Sequence, residues 1–242
     1  MEKHDDLNLI ALEIMMLECA EEDDYITESG IVDMGRKILN DLQKLIDHMI
    51  QFAKDITTDL AVLAGKTAMK AKLNLLKIKA KNGESISIPD FKKIETVYGN
   101  ACDVLPRELR KLLKSAYPIR TSSDLARFQE KKMRFENQLI DLEHSLEEIT
   151  HSTKVYKADE AYQIIESLLH QDSIYINSYY KAIREFGHFK NEYEKILKEA
   201  SRKNDGLGKK SLAMHKSLVA KTSTSLSRMM KKAIFLVSAI VV

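Results

Sequence analysis

The chain has 242 residues, 44% of them hydrophobic and 31% charged, with three prolines, eight glycines, no tryptophan and a net charge of +2. That length and apolar content suffice for one large or two small domains, and so few breakers leave long helices uninterrupted. Two cysteines without metal-type spacing exclude a disulfide framework and fit a reducing compartment, and the acidic N-terminus lacks the basic flank and apolar stretch of a secretory signal.

The charge is unevenly spread. Met1 to Glu28 holds ten acids and one base, Ser201 to Val242 holds nine bases and one acid, and Lys66 to Lys81 holds six lysines and no acid. Such polarity predicts that the two ends meet different partners, or each other.

Residues 1–29 read as an acidic amphipathic helix (over 4–22) followed by a polar stretch, with Gly30 as the break. Residues 30–120 read as a helical domain around a long helix over 31–81, with Ile38, Leu45 and Phe52 on one heptad row and Leu42, Met49, Ile56 and Leu63 on another. Asn82-Gly83 ends it, and Glu84–Ile88 is expected to be extended loop, since a lone strand has no partner. Asp90 opens a short helix stopping near Gly99, and Pro106 fits the first turn of the next. Residues 121–200 read as a coiled-coil hairpin. Thr121-Ser122-Ser123-Asp124 matches a capping box, and Leu125, Lys132, Leu139, Leu146 and Thr153 run beside Phe128, Phe135, Leu142, Ile149 and Tyr156 as two rows of one seam. A break near Lys157–Asp159 precedes a further helix reaching about Ala200. Residues 201–211 read as a linker, and 212–242 as a basic helix with an apolar tail. The fold class expected is all-α, an elongated helical bundle or antiparallel coiled coil with long helices.

No motif for catalysis stands out. The Glu-x-x-His pairs Glu148/His151 and Glu185/His188 resemble half of a dimetal site, but the heptad register places His144, Glu148 and His151 on the outer face, so no metal and no cofactor are expected. Gly206-Leu207-Gly208-Lys209-Lys210 follows no strand and reads as linker rather than phosphate loop. The candidate basic contact surface is Lys66, Lys70, Lys72, Lys77, Lys79 and Lys81, which could track nucleic-acid phosphates, lie on an anionic membrane, or form a solvated face over a core helix. The apolar tail, Ile234, Phe235, Leu236, Val237, Ile240 and Val241, follows Arg228, Lys231 and Lys232. The run Ala233–Val242 has ten residues, about half a membrane span, so the tail is expected to be covered by protein or to meet a membrane.

Ala11-Leu12-Glu13 and Cys19-Ala20-Glu21-Glu22, set in an acidic helix ahead of a basic body, resemble the removable N-terminal segment of internal head proteins of large tailed bacteriophages. That resemblance implies processing after Glu13, Glu21 or Glu22 by a maturation protease that cuts after glutamate. A cut after Glu22 removes seven acids and one base, which suits packing beside DNA. The expected function is therefore a non-enzymatic structural or interaction protein, a virion-associated internal protein in the first instance. The alternative is a membrane-active helical protein, an anchored adaptor or pore-forming component, that uses the basic segment and apolar tail. Expected partners are proteins or a second copy of the chain along helical seams, with nucleic acid or an anionic membrane as further options and no small-molecule substrate. The expected location is the cytoplasm, or the virion if phage-encoded, or a membrane surface under the alternative.

Overall fold

Apolar residues recur at three- and four-residue spacing through most of the chain, and such runs form most of the helices in the computed structural model, which describes residues 30–115, 121–170, 173–201, 206–238 and 240, so that the helix expected over 4–22 lies outside the described residues. Seven helices are described: α1 (Gly30–Gly65), α2 (Thr67–Lys81), α3 (Phe91–Ser115), α4 (Ser122–Thr150), α5 (Ala158–Leu169), α6 (Ile174–Ser201) and α7 (Gly206–Ser238). Two short strands, β1 (Ser85–Pro89) and β2 (Thr153–Lys157), pair antiparallel with Ile86 opposite Tyr156. The fold is all-α with this one small sheet.

Several local expectations hold. The Thr121 Oγ1 accepts from the Asp124 amide at 3.1 Å while Asp124 Oδ2 accepts from the Thr121 amide at 3.0 Å, a reciprocal capping box. α2 ends in a Schellman turn. The Gly83 amide donates to the Ala80 carbonyl and the Glu84 amide to the Lys79 carbonyl, both at 3.0 Å, with Gly83 at φ +70° where a side chain would be strained.

Other expectations are corrected. The segment read as loop at Glu84–Ile88 is β1, and its partner β2 lies where the α4 heptads had been extended to Thr153 and Tyr156. The helix expected over 31–81 divides where Lys66 adopts extended backbone (φ −65°, ψ 136°) after Gly65, a weak helix former. α3 runs through both Gly99 and Pro106, because Ile94, Tyr98, Ala101, Leu105 and Leu109 keep a continuous buried stripe across them. The expected linker is helical from Gly206, and the helix expected from 158 to 200 divides after Leu169, where His170 turns extended.

The chain forms two compact units, each drawn from three separate stretches rather than from consecutive segments. The first takes Met1–Ile50, Val104–Ile140 and Ala182–Ser225. Its core joins Leu42, Leu45 and Met49 of α1, Leu109 and Leu113 of α3, Phe128 and Phe135 of α4, Phe186 and Tyr193 of α6, and Leu218 of α7. His215 sits inside it, 5.3 Å from the Phe128 ring and 5.7 Å from the Tyr193 ring, both edge-on. At the surface Arg110 binds Glu192 and Glu185, and its hydrogen bond is the leading reason the Glu192 carboxyl titrates below the ordinary range.

The second unit takes Gln51–Asp103, Asp141–Lys181 and Leu226–Val242. Its core is rich in rings: Tyr98 lies 5.4 Å from Tyr175, and Phe52 lies 5.7 Å from Tyr179. The Tyr179 hydroxyl shares a 2.5 Å hydrogen bond with Ser227 of α7. Asp90 accepts from the Tyr156 hydroxyl at 2.7 Å and from the Lys93 amide at 3.3 Å, so one carboxylate ties β2 to the start of α3.

His215 gives the first unit a pH dependence. Burial pushes its imidazole down to about 3. The unfolded chain takes up a proton near pH 6.5 and the folded chain does not, so this group leaves stability intact above that pH and erodes it as pH falls toward 3. We expect a loss approaching roughly 1.4 kcal/mol per pH unit in the acid range from this residue. Urea titrations of the wild type and His215→Phe, stepped from neutral to acid, should show the gap between them shift in favour of the variant as pH falls. A gap constant with pH would contradict the assignment.

Candidate functional site

The sequence repeats two apolar stripes along α2. Met69, Leu73, Leu76 and Ala80 form one, and Ala68, Ala71, Leu75 and Ile78 form the other, on nearly opposite sides of the helix. The first turns inward, with Met69 and Leu76 buried and Leu73 and Ala80 half-buried, and α2 packs on α5. The second faces solvent, with Leu75 39% and Ile78 56% exposed. A short helix in a folded unit can satisfy only the stripe that finds a partner, and here the other remains in water.

The lysines border that exposed stripe on both sides. Lys66, Lys70, Lys77 and Lys81 lie along its wider flank and are exposed, while Lys72 and Lys79 lie between the two stripes and are half-buried. Lys77 stands 4.8 Å above the Tyr162 ring of α5, and Lys72 donates to the Ile240 backbone carbonyl. Among the described residues none of the six pairs with a carboxylate. Lysines elsewhere do: Lys92 with Glu160, Lys216 with Asp41, Lys221 with Glu136 and Lys232 with Glu147. The sequence had singled out all six lysines, and the structure places them around one helix. It had not distinguished the outward stripe from the inward one, because periodicity alone does not say which side finds a neighbour.

The other expected site residues fall elsewhere. Ile234, Val237 and Ile240 are buried in the second unit, together with Ala233; Leu236 is half-buried and Phe235 is 62% exposed. The tail is therefore covered mainly by this chain itself. Val241 and the candidate cut positions Glu13, Glu21 and Glu22 lie outside the described residues. His144, Glu148 and His151 are exposed, as the heptad register implied, and Glu166 and His170 are exposed as well. No helix among the described residues is long and apolar enough to cross a membrane, and no group of three or more possible metal ligands occurs among them.

Two shallow grooves in the first unit escaped sequence reasoning. One, about 360 Å³, is lined by Lys111, Lys131 and Arg134 beside Glu108 and Phe135. The other, about 410 Å³, is lined by Arg184, His188 and Lys190 with Gln43. In the first groove α3 and α4 bring the cations together, whereas in the second α6 carries all three beside Gln43 of α1. Cys102 is buried in the second unit near Tyr98, and burial pushes its thiol up to about 12, so it stays protonated at neutral pH. In a Cys19→Ser chain, a thiol-specific reagent is expected to leave Cys102 untouched until denaturant unfolds the protein; rapid native-state labelling would contradict that burial.

No protein-family model, no curated protein and no solved structure matches this chain.

Proposed function

We propose that the protein is a non-enzymatic helical interaction protein and that α2 is its contact face for a polyanionic partner. One observation carries this reading: six lysines share one helical segment with an exposed apolar stripe and have no carboxylate partner among the described residues. Lysines clustered so closely raise the local potential and attract a polyanion, through release of its counterions when it is a nucleic acid. The heptad residues Leu42, Leu45, Met49, Phe52 and Ile56 of α1 and Phe128, Phe135, Leu139, Leu146 and Ile149 of α4 are buried. That supports bundle-type packing of the long helices as the scaffold behind the face. A virion is one setting for such a protein, and the acidic 1–28 segment alone carries it.

The test is binding to heparin and to duplex DNA at low and high salt, for the wild type and for Lys66→Gln/Lys70→Gln/Lys81→Gln. Binding that weakens with salt, and at least about tenfold further in the variant, is expected. Equal binding by both chains would overturn the reading.

A further inference from the structure

Charge explains only half of α2. A polyanion in water, whether nucleic acid or an acidic polypeptide in extended form, would engage the lysines and leave Leu75 and Ile78 in solvent. A second copy of this face would cover the apolar stripe but bring six lysines against six. An anionic bilayer satisfies both features. Its headgroups carry the charge that the lysines lack, and the hydrocarbon beneath them accepts the stripe.

We infer that α2 is an interfacial membrane-binding helix, which lies in the plane of an anionic lipid surface with Ala68, Ala71, Leu75 and Ile78 turned into the acyl boundary. This deepens the preceding reading and rests on it. The geometry suits the role in three respects. The stripe keeps 3-4-3 spacing over 11 residues of a regular helix, so its four side chains point one way. Lys70 and Lys81 on one side and Lys79 on the other flank it, where their long stems can lie along apolar surface while the ammonium groups reach phosphate. The opposite side is fixed through Met69 and Leu76 in the second unit, so the helix is already formed and aimed before it meets lipid, and binding incurs little ordering cost. Helix formation on the membrane is the usual penalty for such segments, and here folding has already met it. Ile234, Val237 and Ile240 take no part, since they are buried within the unit.

The experiment is co-sedimentation of the full chain with vesicles of phosphatidylcholine alone and of phosphatidylcholine with phosphatidylserine. It compares the wild type, Lys66→Gln/Lys70→Gln/Lys81→Gln and Leu75→Gln/Ile78→Gln, with heparin binding and thermal melting of each chain measured in parallel. The exposed positions make all these variants compatible with the fold. The expected result is pelleting of the wild type with phosphatidylserine vesicles only, and at least about tenfold weaker partitioning for each variant. Leu75→Gln/Ile78→Gln should retain wild-type heparin binding and melting. If that variant pellets like the wild type, or if the wild type binds heparin but no vesicle, the lipid inference is overturned while the polyanion face survives. If the wild type binds neither heparin nor vesicles, both fall.

Discussion

The structure depends on a helix that is buried despite its composition. From Leu218 to Met230 every residue of α7 is buried except Lys221 and Arg228, which are seven apart and so mark one thin line to solvent. The segment includes Thr222, Ser223, Thr224, Ser225 and Ser227, and a hydroxyl out of water must find an acceptor or destabilise the fold. Thr222 and Ser223 donate back to the Leu218 and Ala220 carbonyls at 2.7 and 2.9 Å, and Ser227 meets Tyr179. Their small size lets neighbouring side chains approach the helix closely. Each unit thus has an α7 segment within its own core, Leu218 to Ser225 in the first and Leu226 to Val237 in the second.

That arrangement uses up the apolar end of the chain. An apolar, β-branched run left in water is an aggregation hazard, and the second unit removes the hazard by burying Ala233, Ile234, Val237 and Ile240. What remains exposed is then informative. Val155 and Ile174 are single exposed side chains, of the kind any protein surface carries, whereas Leu75 and Ile78 belong to a stripe with lysines on both flanks. Of the apolar residues that sequence reasoning offered to a membrane, Ile234, Val237 and Ile240 are core, and the exposed ridge lies instead among the lysines of α2.

The parts that local chemistry dictates were legible. The capping box at Thr121–Asp124 and the Asn82-Gly83 stop need only a few consecutive residues, and the α4 seam from Phe128 to Ile149 needs only periodicity. Pairings across the chain were not. β1 finds its partner 70 residues away at Tyr156, and the β2 residues happened to continue the heptad count, so a strand looked like more helix. Gly99 and Pro106 are breakers by propensity, yet the buried stripe of α3 overrides them. A Thr/Ser cluster suggests a solvated stretch until Thr222 and Ser223 are seen to bond within α7 and Ser227 to meet Tyr179. The six lysines were visible from composition, but the two stripes of α2 have the same spacing and only packing against α5 separates them.

The account stands on the outward stripe of α2 entering the lipid boundary while the rest of the helix does not. Nitroxide labels at Leu75→Cys, Ile78→Cys and Lys77→Cys, each in a Cys19→Ser chain, would test this by accessibility to oxygen and to a water-soluble nickel complex. With phosphatidylserine vesicles, positions 75 and 78 should gain oxygen contact and lose nickel contact, and position 77, exposed on the side of the helix away from the stripe, should change little. If all three labels stay equally open to the nickel complex, α2 does not insert and its lysines serve a partner in water.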